Sequence, residues 1–274
     1  MVRFSKGHGT ENDFVLLPDP DGELDLTPTR VAALCDRRRG IGADGVLRVV
    51  RWAALGDGPP PEPGVEWFMD YRNADGSVAE MCGNGVRVYA RYLEHAGLLP
   101  EAEMPLGTRA GVRTVRVTGG EISVDMGPAT VGAESTAQVD GRTFHGVAVD
   151  VGNPHLACVT DGPLSVLDLS RPPGHDDALF PHGVNIEFVT PLRDGVVSMR
   201  VHERGAGETR SCGTGTVAAA VAVLRDAGLD TGTVPVRAPG GRLRVTVGAG
   251  TTVLHGPAEL VAHGEIAAEW WSQV

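Results

Sequence analysis

One four-residue pattern occurs twice and constrains this chain more than any other feature. Cys82-Gly83-Asn84-Gly85 and Cys212-Gly213-Thr214-Gly215 each head a helical stretch, and Ala96-Gly97-Leu98 and Ala227-Gly228-Leu229 close the two. The spacing from cysteine to closing glycine differs by one residue between the copies, which lie nearly half the chain apart. Helices are expected over 83–95 and 213–226, each ending with Gly near C′. The repeat implies two similar halves, each a strand-rich layer around one helix, facing each other through the cysteine-bearing helix ends. The halves run over 1–115, rejoined by the terminal segment 261–274 with Trp270 and Trp271, and over 116–260. Chance recurrence of a short pattern in a chain with 38 Gly is the competing reading.

The remainder reads as short strands between turn residues. Strands are expected at 14–17, 46–50, 65–71, 112–117, 121–125, 185–190, 196–201 and 243–247. Thr27-Pro28 opens a further short helix through Cys35, with Thr as N-cap and Pro at N1. The proline-rich stretch 56–64 is a surface loop without chemistry. The chain has 274 residues, is 42% hydrophobic and 22% charged, and carries a net charge of −11. Those values are those of a globular protein, and the acidic balance argues against nucleic-acid binding, which gains from a basic surface. No apolar run reaches the ~18 residues of a membrane span and no leader-like segment opens the chain, so the expected compartment is a reducing cytoplasm. Four scattered cysteines build no disulfide framework, and without a CxxC pair no zinc site is expected.

In that compartment a cysteine is either a small hydrophobe or a chemical tool. Cys35, in the apolar run 31–35, and Cys158, in the run 156–159, read as core. Cys82 and Cys212 differ because they stand at helix starts. There the first-turn N–H groups and the partial positive charge favour an anion and lower a thiol's pKa toward neutrality. The glycines that follow let a ligand carboxylate approach the same N–H groups. Two such sites related by an internal twofold would place thiols on opposite sides of one ligand. That suits deprotonation of one face of a carbon and reprotonation of the other. A dithiol redox switch between Cys82 and Cys212 is the alternative from another class.

Longer motifs surround both cysteines: 6–14 (Lys-Gly-His-Gly-Thr-Glu-Asn-Asp-Phe), 71–77, 80–87, Gly152-Asn153-Pro154-His155, Val184-Asn185, and 202–215 from His202-Glu203-Arg204 to Thr214-Gly215. In these the chain resembles the diaminopimelate epimerases, cofactor-independent amino-acid epimerases, over nearly its whole length. The resemblance implies an α+β fold of two pseudo-symmetric domains, each an antiparallel barrel-like sheet wrapped around a central helix, with the site in the cleft between them. Three departures stand out: Glu11 where the family has Gly, Gly45 where some members have Gln, and Val88 where a further Cys is frequent.

The function this implies is epimerisation of L,L-2,6-diaminopimelate to the meso form, a step toward lysine and peptidoglycan precursors, with no metal and no pyridoxal phosphate. One thiolate would take the α-proton while the opposite thiol delivers one, with roles exchanged in the reverse direction. Backbone N–H groups of Gly83, Asn84, Gly213 and Thr214 would hold the α-carboxylate, whose developing charge both helix starts would stabilise. By position, His155 is the proton partner expected beside Cys82, and Glu203 the one beside Cys212. By resemblance, Asn73, Asn185 and the Arg204 guanidinium would hold the distal carboxylate, and Glu203 with backbone carbonyls would receive the distal ammonium. Asn12 and Asn153 would line the site. Partners are thus a small zwitterion, with no nucleic acid and no membrane; a homodimer stays open as the assembly. A proline or hydroxyproline racemase of the same architecture is the nearest competing enzyme.

Overall fold

The computed structural model describes residues 1–99, 101–193 and 195–274. In chain order the elements are β1 (Val2–Gly9), β2 (Asn12–Pro18), α1 (Pro28–Cys35), β3 (Gly45–Arg51), β4 (Trp67–Asn73), α2 (Gly83–His95), β5 (Glu103–Thr108), β6 (Gly111–Thr118) and β7 (Glu121–Gly127). There follow β8 (Thr130–Val139), β9 (Arg142–Asp150), β10 (Pro154–Val159), β11 (Asn185–Val189), β12 (Val197–Glu203), β13 (Gly207–Thr209), α3 (Gly213–Asp226), β14 (Gly232–Ala238), β15 (Gly241–Val247), β16 (Thr252–Gly256), β17 (Glu259–Ile266) and α4 (Ala268–Trp271). The chain packs as two units, Met1–Val124 with Pro257–Val274, and Asp125–Gly256. A limit at 115 would cut β6 in two.

In the first unit the strands lie in the order β17-β1-β2-β3-β4-β5-β6-β7, antiparallel except for the parallel contacts β2–β3 and β4–β5. The sheet curls around α2, which packs against β1, β2, β3, β4, β6 and β17. Being enclosed, α2 buries residues 83–90 almost all round, with polar residues Asn84 and Arg87 among them. The return of the C-terminus is held by Trp270 and Trp271, which pack on the cluster of Val15, Leu34 and Ile266. Thr27 caps α1, accepting from Arg30 N–H at 3.2 Å, with Pro28 at its first position, as the sequence predicts.

The second unit repeats this plan. Its order is β8-β9-β10-β11-β12-β14-β15-β16, again antiparallel except at the third and fifth contacts, β10–β11 and β12–β14. β13 adds a short hairpin to β12. Here α3 is the enclosed helix, packed against β9, β10, β11, β12, β14, β15 and β16. Its run of Ala and Val is buried from Gly215 through Leu224, as a helix covered on every side must be. The architecture is therefore α+β with two similar sheet-wrapped helices, as expected, though each sheet is mixed rather than purely antiparallel. Both helices also stop alike: Leu98 N–H reaches Leu93 O and Leu229 N–H reaches Leu224 O, each at 2.8 Å, across a glycine of positive φ.

Candidate active site

Each repeated cysteine is the N-cap of its helix. Cys82 Sγ accepts from Gly85 N–H and Cys212 Sγ from Gly215 N–H, both at 3.4 Å. Thiols thus occupy the place that Ser, Thr or Asp oxygens usually take, where the helix start favours negative charge. Gly83 with Asn84, and Gly213 with Thr214, are the first two residues of their helices, so their N–H groups point out of the helix start.

Around Cys82 the first unit assembles a polar set. Asn12, at the start of β2, turns its Oδ1 to Cys82 Sγ at 3.7 Å and to Asn84 Nδ2 at 3.2 Å. Its Nδ2 donates to Asp44 at 2.8 Å, which fixes the amide's direction. Asp44 and Asp13 are in turn clamped by Arg37, and Asp13 also by Lys6. Asn84 Oδ1 accepts from Arg87, a fully buried guanidinium that also serves Thr10 Oγ1 and Pro257 O. Burial lowers the Arg87 pKa to about 10, and the nearby Cys82 acts the other way.

Around Cys212 the second unit is more acidic. Thr214 Oγ1 lies 3.5 Å from the sulfur and accepts from Asn153 Nδ2 at 3.4 Å. Asn153 Oδ1 faces His155 Nε2 at 3.0 Å, and His155 Nδ1 faces Glu187 Oε1 at 2.7 Å. His155 and Glu187 are both wholly buried. Burial pushes the Cys212 thiol well above its ordinary value, with Glu203 and Glu187 adding to the rise, while Thr214 and the Gly215 N–H oppose it. The sequence-based expectation of a lowered pKa therefore fails for Cys212, because desolvation outweighs the helix start. Burial also raises the Glu187 carboxyl, against the pull of His155.

The remaining expected residues are placed as follows. Asn73 ends β4 and donates to Ser77 Oγ at 3.0 Å. Asn185 is engaged by backbone on both sides, donating to Pro154 O and accepting from Arg204 N–H, each at 3.0 Å. It thereby holds the stretch that carries Arg204, whose exposed guanidinium donates to His182 O. Thr209 donates to Glu203 Oε1. His155, expected beside Cys82, has Glu187 and Asn153 as its described partners. Cys35 and Cys158 are core residues, with burial raising their pKa to about 11 and about 12. Among the described residues, no cluster of three or more His, Cys, Asp or Glu could hold a metal ion.

The profile described as diaminopimelate epimerase matches residues 4–132 and 147–261. A diaminopimelate epimerase of Rhodococcus erythropolis (strain PR4 / NBRC 100887) is 58% identical over 286 residues, covering 99% of this chain and 98% of that protein. The chain belongs to the diaminopimelate epimerase family. Another family relative, the diaminopimelate epimerase of Mycolicibacterium paratuberculosis (strain ATCC BAA-968 / K-10), is 59% identical over 292 residues, 99% of each chain. Among solved structures, a probable proline racemase from Agrobacterium radiobacter K84 superposes with a TM-score of 0.68 at 15% identity, over 98% of this chain and 93% of that one. A Bacillus anthracis protein of the phenazine biosynthesis PhzF family gives 0.68 at 16% identity, over 97% and 99%. At such identities the two structures show that the fold is shared and no more.

Three residues that bond to the expected set, Glu187 to His155, Arg87 to Asn84 and Asp44 to Asn12, were not among those expected from sequence. Glu187 was the visible one, a lone acid in the apolar strand Asn-Ile-Glu-Phe-Val. Arg87 likewise stands between valines in α2, and Asp44 belongs to a loop with no periodic signal. A charge inside an apolar element was the available sign in the first two cases.

Proposed function

We propose that the chain interconverts L,L-2,6-diaminopimelate and the meso isomer by acid/base inversion at one α-carbon. The observation that carries this reading is identity of 56–59% to named diaminopimelate epimerases over 98–99% of the chain. The two N-capping thiols supply groups suited to the chemistry. In one direction a thiolate removes the α-proton and becomes a thiol, and the second thiol gives its proton to the opposite face and becomes a thiolate. The enzyme is left with its two ionisation states exchanged, ready for the reverse reaction.

The α-carboxylate is held by the N–H groups of Gly83, Asn84, Gly213 and Thr214, where both helix starts stabilise the negative charge that grows during proton removal. The distal carboxylate takes the exposed Arg204 fork, with Asn73 and Asn185 beside it. Asn12 and Asn153 orient the ligand. In this reading the reaction runs in the cytoplasm without pyridoxal phosphate. No helix in the described residues is long and apolar enough to cross a membrane.

Incubation with L,L-diaminopimelate in deuterated water tests this. The expected product is the meso isomer with deuterium at the inverted α-carbon. Cys82→Ala and Cys212→Ala should each lower kcat by about 10²–10⁴-fold, the usual worth of a general acid or base. Full turnover by either variant, or turnover of proline in place of diaminopimelate, would sink the proposal.

A further inference from the structure

The two halves share one sequence of strand contacts, so positions can be matched between them. Phe14 opens the β2–β3 register against Gly45, and His155 opens the β10–β11 register against Asn185. Two residues along the neighbouring strand stand Leu47 in one half and Glu187 in the other. Beneath the third residue of α2, Gly85, lie Leu47 and the ring of Phe14. The matching Gly215 of α3 lies over Glu187, whose Oε1 would be 2.6 Å from a Cβ there. One half therefore packs this place with two apolar side chains, and the other with a histidine and a glutamate. Packing alone does not require the polar pair.

The polar pair also carries a penalty that packing does not explain. Glu187 Oε2 is buried with no hydrogen-bond partner among the described residues, and its residue is 0% exposed. A buried, half-satisfied carboxyl destabilises a fold, and such groups persist where they do something else.

A direction can be assigned to every hydrogen bond that follows. Asn153 gives its Nδ2–H to Thr214 Oγ1, so its Oδ1 faces His155 Nε2, which must carry the hydrogen. The 2.7 Å contact between His155 Nδ1 and Glu187 Oε1 then holds one more proton between them. The donors run His155 to Asn153 to Thr214, and leave the Thr214 hydroxyl hydrogen for the sulfur of Cys212 at 3.5 Å. We propose that Glu187 is a positioning residue for the proposed epimerisation: through His155, Asn153 and Thr214 it aims a hydroxyl donor at Cys212 and so makes the thiolate of that cysteine accessible. This rests on the two-thiol reading above and assigns a further residue to it.

Among the described residues, the charges acting on Cys212 are those of Glu203 on β12 and Glu187 on β11, the latter paired with His155 on β10. Glu203 disfavours the thiolate through its charge, as Glu187 does taken singly. Glu187 shares one proton with His155, so the pair is neutral as a unit and its replacement by leucine acts on the sulfur chiefly through the donor chain. The chain through Thr214 offers it a side-chain donor. Without Glu187, His155 is free to carry its hydrogen on Nδ1. Asn153 can then turn over, and Thr214 loses its fixed direction.

The experiment is the pH dependence of Cys212 carbamidomethylation by iodoacetamide, read by peptide mass spectrometry in a Cys82→Ser background. Only the thiolate reacts, so below the thiol's titration a rise of one pH unit in its pKa appears as a tenfold slower rate. Glu187→Leu, which copies Leu47 of the other half, should slow the reaction about tenfold at each pH. Glu187→Gln, whose amide can donate to Nδ1 and keep the hydrogen on Nε2, should restore at least half of that loss on a logarithmic scale. Loosened packing would instead speed alkylation. Should Glu187→Leu fail to fold, the pair His155→Phe with Glu187→Leu reproduces the Phe14–Leu47 packing and should show the same tenfold slowing. An unchanged or faster rate in the leucine variant, or a glutamine variant as slow as the leucine one, overturns the proposal. With Cys82 intact, kcat should fall about tenfold in Glu187→Leu with KM within twofold. Alkylation needs no diaminopimelate, so failure of the epimerase reading would leave its result standing.

Discussion

Glu11 shows how a single residue can be strained for a visible reason. Thr10 and Glu11 form the two-residue turn between β1 and β2, closed by the pair Gly9 and Asn12, and both have positive φ, 53° and 62°. This is the primed turn that matches strand twist and that glycine adopts without penalty. Thr10 is compensated by Arg87, which donates to its hydroxyl at 3.2 Å. Glu11→Gly should therefore raise stability by about 0.5–1 kcal/mol, read as a higher denaturant midpoint with an unchanged slope. A lower midpoint would show that the Glu11 side chain contributes more than its backbone costs. The departure at Gly45 has the opposite sign. A Cβ there would meet Arg72 O at 2.6 Å and the Tyr71 ring at 2.7 Å, so Gly45→Gln should destabilise by about 1–3 kcal/mol in the same titration.

At the scale of elements, α2 and α3 are defined by their ends. A cysteine starts each, and a positive-φ glycine stops each, Gly97 at 67° and Gly228 at 72°. Among the described residues, none beyond the chain neighbours comes within 4 Å of a Cβ added to either glycine, so a substitution there meets the backbone penalty. Gly228→Ala should cost about 1–2 kcal/mol in thermal unfolding without altering epimerase KM. A change in KM would mean that the far end of α3 is coupled to its cysteine-bearing start. The two helices differ within. α3 is alanine-rich, and its sheet approaches on every side. α2 instead carries Arg87 and Asn84, which tie the helix start to Asn12 and Thr10.

Across the whole molecule, acid should act unevenly on the two units. In the first, burial raises Asp13, but its bonds to Arg37 and Lys6 and their charges outweigh this and hold its carboxyl far below the ordinary value. A depressed carboxyl stabilises the fold above its unfolded pKa, near ~4, and that contribution disappears as pH falls toward the folded value. In the second unit Glu187 is raised, so its contribution runs the other way and grows as pH falls through its folded value. Hydrogen exchange at about pH 3 should therefore open β2 and the segment around Asp44 before β10 and β11. Loss of protection in β11 first would contradict this account.

Much of the site was legible because its chemistry sits in contiguous motifs. Residues 82–85 and 212–215 declare a cysteine followed by glycine at a helix start, and the closing glycines declare where the helices end. These are local properties of backbone and side chain, and sequence carries them directly. Nine strands, β1, β5, β8, β9, β10, β13, β14, β16 and β17, were not seen; β8, β9 and β17, for example, mix Ser, Thr, Ala, Gly and His on exposed faces without clean alternation. Glu187 and Asp44 were missed for a different reason, since a residue's partner across a sheet register does not appear in its neighbourhood. The sequence by itself determined that two cysteines stand at the starts of two helices, one in each half. Only the tertiary structure decided how the Cys212 thiol is solvated, because burial and the charges of Glu203 and Glu187 from other strands, rather than the helix start alone, set how readily that sulfur carries a negative charge.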